Sequence, residues 1–185
     1  MNNKLKLKHF VVDTEFTQLQ GTSELISIAI VSEDGEEYYA VSKEWDEPQG
    51  RGEQTSSQFV KNIVVPALKT PRNEWKYFKE MAEEIEEFVG ECTPIFWSDA
   101  ADLETLFLFH IFKEARKEIP PNWPSKCSEL KHLATIGLYR YPGITLVPRT
   151  FVGTKHNALD DARFNMCIWK DGLELIWKKE QGLEL

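Results

Sequence analysis

Residues 10–19 read FVVDTEFTQL: Phe10, Val11 and Val12 call for a sheet interior, and Asp13 and Glu15 follow directly behind them. In a strand, side chains two apart leave from the same face, so the two carboxylates project together. Two ionised carboxylates held a few ångströms apart repel, and burial drives such groups toward the protonated form unless a cation neutralises them. On a solvated strand end the same pair would carry no chemistry. The apolar run in front of it makes this strand central, and two more acidic groupings at element boundaries favour the chemical reading.

The neighbouring segments follow from pattern. ELISIAIVS (24–32) and EEYYAVSKEW (36–45) are rich in β-branched and aromatic residues, and Asp34-Gly35 between them reads as a hairpin turn. The short link from the first strand to the second favours an antiparallel meander. A polar, Gly-containing loop is expected at 46–57, then a short helix over 56–68 that ends near Pro66. Trp75, Phe78, Met81, Ala82, Ile85, Phe88 and Val89 keep helical spacing and predict a helix over 73–91. TPIFWSD (93–99) reads as a buried strand and 102–118 as a helix stopped by PPNWP. Helices are expected over 128–138 and 157–180, the second with a bend at Gly172. Strands first, then alternating strand and helix, imply one α/β domain over residues 1–185 whose sheet mixes antiparallel and parallel pairs.

The second acidic grouping is FWSDAADLETL (96–106), where Asp99 and Asp102 both follow a buried strand. Either one suits the cap of the helix that follows, and a cap explains one Asp but not two. The third is KHNALDDARFN (155–165), with His156 just ahead of a helix and Asp160 and Asp161 in its first turn. Asn157 fits the N-cap and Asp160 the acid of a capping-box-like start, so loss of Asp160 is expected to cost about 1 kcal/mol and little activity. Asp161, about 100° further round the helix, is left to face inward.

Composition narrows the function. A net charge of -8 argues against a basic face that wraps long nucleic acid, but not against an acidic pocket that meets phosphate through metal ions. Cys92, Cys127 and Cys167 are far apart in sequence, lack zinc-site spacing and read as reduced core thiols. The start of the chain has no apolar signal region and no stretch reaches the ~20 apolar residues of a membrane span, so a cytoplasmic protein without membrane attachment is expected.

Asp13-x-Glu15, the Asp in SDAAD, and His156 five residues ahead of Asp161 together resemble the DEDDh (DnaQ-like) 3'-5' exonucleases. Within that family DTEF, ELISIAIVSEDGEEYYAVS, AADLETL and HNALDDAR look most like the bacterial 3'-5' exoribonuclease group typified by mycobacterial ribonuclease AS. The resemblance implies a ribonuclease H-like fold with a mixed five-stranded sheet flanked by helices. It implies Asp13, Glu15, Asp102 and Asp161 as ligands of two Mg²⁺ or Mn²⁺ ions, and His156 as general base. The implied reaction is two-metal-ion hydrolysis of RNA 3' ends or short oligoribonucleotides to nucleoside 5'-monophosphates, and a homodimer is a further family-level expectation. Glu15, Phe16, Thr17, Trp97 and His156 are the candidates for contact with the terminal nucleotide, Phe16 through base stacking. Ser98 and Ala101 stand where the family often carries Asn and an aromatic residue. An exonuclease acting on DNA and a non-catalytic RNA-binding module with the same fold are the alternatives.

Overall fold

The computed structural model describes residues 6–19, 22–46, 57–133 and 149–181. Its centre is a five-stranded sheet in the order β3-β2-β1-β4-β5. β1 (Leu7–Leu19) pairs antiparallel with β2 (Thr22–Ser32), which pairs antiparallel with β3 (Glu37–Val41). On its other side β1 runs parallel to β4 (Thr93–Ser98), and β4 to the two-residue β5 (Ser128–Glu129). The expected mixed five-stranded sheet is therefore present. β1 is thus the central strand on which the pairing changes from antiparallel to parallel, the kind of place where open α/β sheets leave a crevice.

Alternation along β1 divides the core into two layers. Phe10 and Val12 face the helices α1 (Phe78–Val89) and α2 (Ala101–Glu114), whose Met81, Ile85, Leu108, Ile111 and Phe112 are fully buried. Val11 faces the opposite way, with Ala29 and Val31, onto Ala158, Ala162, Met166 and Trp169 of α3 (Ala158–Glu180). Burying whole aliphatic and aromatic side chains of this size stabilises by about 1.5–3 kcal/mol each, which is why the periodic stripes decide the layers. Among the described residues no helix is long and apolar enough to cross a membrane.

Three sequence expectations are corrected. The helix expected over 73–91 begins at Phe78, because Lys76 bridges to Ser42 in extended form and its N–H donates to Val41 O at 2.9 Å. The helix expected over 128–138 opens as β5, and helical residues start only at Leu130; the part from 134 onward lies outside the described residues. α3 runs through Gly172 without a break, and a Cβ there would make only ordinary contact, 3.9 Å from Cβ of Leu133. The loop expected at 46–57 falls almost wholly outside the described residues. After it, a π-helical turn (Val60–Val64) runs into a single α-helical turn (Val65–Ala67). Val60 and Val64 dock that segment onto Ile26, Val41, Trp45 and Trp75.

Candidate metal centre and active site

β4 pairs with β1 only as far as Val11, so Asp13 and Glu15 stand on the part of β1 that outruns its parallel neighbour. Their antiparallel partners on β2 are Ala29 and Ser27, whose small side chains leave room over the two acids. Both project on the Val11 side of the sheet, toward α3. There Asn157 caps the helix by accepting the Asp160 N–H on Oδ1 at 3.2 Å, and Asp161, one residue further on, turns back to the sheet. Ligand-capable oxygens of Asp13, Glu15 and Asp161 lie within 4.8 Å of one another.

The electrostatics of this trio are those of a site that needs an outside cation. Burial first, and then Asp161, Glu15, Glu104 and Asp99, hold Asp13 well above the usual carboxylate range. Burial with Asp161 and Glu104 pushes Glu15 up to about 8. Asp161 is raised by burial and by Asp160, with His156 and Lys155 offsetting. Three hard oxygen donors and no soft ligand suit a hard divalent cation. A bound ion would remove both the mutual repulsion and the mismatch of protonation.

His156 sits at the mouth. Its backbone takes φ +63°, which L residues adopt rarely, and its N–H donates to Asp161 Oδ2 at 2.8 Å. Its Nδ1 stands 4.0 Å from Glu15 Oε1, and its side chain is 46% exposed. The ring of Phe59, itself 51% exposed, meets the imidazole edge to face with centroids 4.9 Å apart.

The other sequence candidates stand apart from the trio. Asp102 is exposed on the first turn of α2 and lies outside the cluster of ligand atoms. Asp99, at the end of β4, is exposed and pairs with Lys131 at 3.5 Å. Neither caps α2 through its side chain, because the N-cap position is Ala100. Phe16 is half-buried against Phe107, with ring centroids 4.9 Å apart. Thr17 is buried, its Oγ1 accepting the Glu24 N–H at 3.1 Å. Trp97 packs on the α3 side of the core and donates its indole N–H to His9 Nδ1 at 3.0 Å. Of the three, Thr17 is buried, while Phe16 and Trp97 remain partly exposed.

Two residues escaped the sequence reading. Glu104 is 5% exposed, its Oε2 has no hydrogen-bond partner among the described residues, and burial pushes it up to about 7. Its charge acts on both Asp13 and Glu15. The signal was present, since Glu104 heads the buried stripe Phe107, Leu108 and Ile111 at helical spacing. Phe59 was legible too: with Ile63 it forms the exposed face opposite buried Val60 and Val64. Asp160 also differs from expectation. It does occupy the third helical position, but it reaches Thr154 N–H, Lys69 and Arg163 rather than the Asn157 N–H, because that N–H already donates to Thr154 O at 3.2 Å.

Comparison with known proteins agrees with this geometry. Residues 8–173 match the 3'-5' exoribonuclease Rv2179c-like domain family. The 3'-5' exoribonuclease Rv2179c of Mycobacterium tuberculosis is 33% identical over 159 residues, covering 83% of this chain and 86% of that protein. Among solved structures, exonuclease I from Methylocaldum szegediense superposes over 91% of this chain with a TM-score of 0.64 at 12% identity. The zinc-bound exonuclease I–ssDNA complex from E. coli superposes over 96% of it with a TM-score of 0.60, also at 12% identity. At that identity the likeness is one of fold, and this chain spans about 40% of the length of those enzymes.

Proposed function

The chain belongs to the 3'-5' exoribonuclease Rv2179c-like domain family, and we propose that it hydrolyses the 3'-terminal phosphodiester of single-stranded RNA or short oligoribonucleotides, releasing nucleoside 5'-monophosphates. The observation that carries this reading is the convergence of Asp13, Glu15 and Asp161 within 4.8 Å, with His156 beside Glu15. Two Mg²⁺ or Mn²⁺ ions, held by these three carboxylates and by Asp102 from α2, would acidify water and neutralise charge at the scissile phosphate. The imidazole of His156, the commonest side chain for general-base work, takes the proton from the attacking water. Its half-exposed ring can reach solvent and substrate alike. Asp161 holds the backbone behind that ring through the His156 N–H. Glu15 borders the 3' end, and Phe59, exposed beside His156, offers the terminal base an aromatic face in addition to the half-buried Phe16 and Trp97.

The domain extends over residues 1–185 in this reading, and its cysteines are free, as suits a reducing cytoplasm. A homodimer belongs to the same proposal and would appear by light scattering as a species of twice the 21.5 kDa chain. A DNA substrate is the second reading, favoured by the fold likeness to exonuclease I, one structure of which carries ssDNA. The test uses 5'-labelled RNA and DNA of one sequence, with Mn²⁺ and with excess chelator, on wild type and on Asp13→Asn. Stepwise shortening of RNA from the 3' end, lost with chelator and in the variant, is expected. Equal turnover in chelator overturns the metal mechanism, and faster turnover of DNA transfers the enzyme to the second reading.

A further inference from the structure

Asp160 is 3% exposed, yet it is bonded on every side. Lys69 Nζ donates to its Oδ1 at 2.6 Å and an Arg163 nitrogen to the same oxygen at 3.0 Å, while the Thr154 N–H donates to Oδ2 at 2.8 Å. Arg163 also holds Glu37 of β3 through two bonds of 2.7 and 2.5 Å. Gly153 presses on this carboxylate from the loop: at φ +126°, a Cβ there would lie 2.6 Å from Asp160 Cγ and 2.7 Å from Oδ2. No L side chain fits that contact without displacing loop or carboxylate.

The loop so pinned is the one that carries His156. Thr154 is bonded to Asp160 and His156 to Asp161, so two successive carboxylates of α3 grip residues 154–156 at both ends. The same knot takes in the segment bearing Phe59, because Lys69 follows it and Asn157 Nδ2 donates to Ala67 O at 2.8 Å. We propose that Asp160 is a positioning residue that sets His156, and with it Phe59, over the carboxylate cluster. This rests on the reading of His156 as the general base. Asp160 touches neither substrate nor the carboxylate trio in this role; it acts by fixing the backbone that presents the imidazole.

The experiment measures Asp160→Ala, Asp160→Asn and Gly153→Ala as full chains. Steady-state kinetics on a short oligoribonucleotide are combined with ¹H–¹³C spectra of the histidine rings and Mn²⁺ titration. Asp160→Ala is expected to lower kcat by roughly 10- to 100-fold while KM and Mn²⁺ affinity stay within about twofold, since a shift of about 1 Å costs that much at a reacting centre. Asp160→Asn keeps an acceptor for Thr154 and should recover part of the loss, whereas Gly153→Ala should reproduce it. The His156 ring signal, sensitive to the ring of Phe59 beside it, should move in step with kcat. Should Asp160→Ala not fold, the other two variants carry the same test. Folded variants with kcat within twofold of wild type and an unmoved His156 signal overturn the proposal. Wild-type turnover by His156→Ala would instead overturn the general-base reading, while the ring signal still decides whether Asp160 holds the loop.

Discussion

Asp160 and Asp161 are neighbours on one turn of α3, and their surroundings are opposite. Asp160 has two cations and a backbone amide on it, and these outweigh its burial and hold it below the ordinary carboxylate range. Asp161 joins Asp13 and Glu15, and the ion-pair partner within 4.0 Å of that trio among the described residues is His156 beside Glu15. A chain that pairs one buried acid with two cations leaves three half-buried others with a single histidine between them. The difference marks one carboxylate as part of the scaffold and the others as a receptacle for cations supplied from solution.

The most drastic way to break the comparison is to remove a charge from the receptacle. Asp13→Asn should lower turnover by about 10³-fold or more, because the cluster then loses a ligand oxygen with its charge. It should also raise the melting temperature of the metal-free protein, since burial and four neighbouring acids oppose ionisation of Asp13. Calorimetry in chelator combined with the nuclease assay checks both; a variant that melts lower would mean the trio is held together by something other than a missing cation.

Stability against pH should show the two kinds of carboxylate as two limbs of one curve. Glu15, raised from 4.5 to about 8, binds protons more tightly folded than unfolded, so its penalty is absent below about pH 4.5 and complete above about 8. Metal-free stability should therefore fall between those values, at up to about 1.4 kcal/mol per pH unit from this group. Mn²⁺ should flatten that limb. Asp160 has the opposite sign: with its folded pKa depressed, it contributes stability above the ordinary carboxylate range that is lost as the pH falls through it. Asp160→Ala should thus shrink the acid limb, to which Glu37 and Asp171 also contribute, and cost about 2–3 kcal/mol near neutrality, because it strips a buried acceptor from a backbone N–H and two cations. Urea melts from pH 3 to 9, with and without Mn²⁺, separate the limbs; a curve unchanged by Mn²⁺ between pH 5 and 8 sinks the receptacle reading.

How much of this could be read beforehand depended on the range of each interaction. Asp13 and Glu15 are related by the two-residue period of a strand, and His156 and Asp161 by little more than one helical turn. Local geometry therefore put each pair together, and the apolar run at 10–12 placed the first pair at a sheet end. Asp160 was legible as a helix-start residue but not as a clamp: Arg163 stands within one turn of it on α3, but Lys69 and the Glu37 that holds Arg163 arrive from distant segments only in the folded chain. β5 is two residues long and is strand only because it lies beside Trp97 and Ser98. Phe16 and Thr17 follow the acids in sequence, but past the irregularity between Glu15 and Phe16 the strand buries Thr17 and packs half-buried Phe16 against the core.

The smallest expected effect concerns which acid of α2 leans on the trio. Asp102 and Glu104 are two residues apart, about 200° around the helix, so one faces solvent when the other is buried. The resemblance favours Asp102 as a ligand, whereas the buried charge that acts on Asp13 and Glu15 belongs to Glu104. Glu104→Gln keeps the shape of this buried side chain beside Ser98 and removes its charge. With its pKa at about 7, Glu104 is mostly neutral at pH 5.5 and mostly charged at pH 8.5. The substitution should therefore leave metal-free stability nearly unchanged at the lower pH and raise it by roughly 1–2 kcal/mol at the higher one. Mn²⁺ affinity decides the rest: Asp102→Asn should weaken it, while Glu104→Gln should leave it within about threefold, as a charge behind the cluster acts on its acids without supplying a ligand. If the two variants exchange these affinities, the fourth ligand from α2 is Glu104, and the cluster draws on the buried face of that helix.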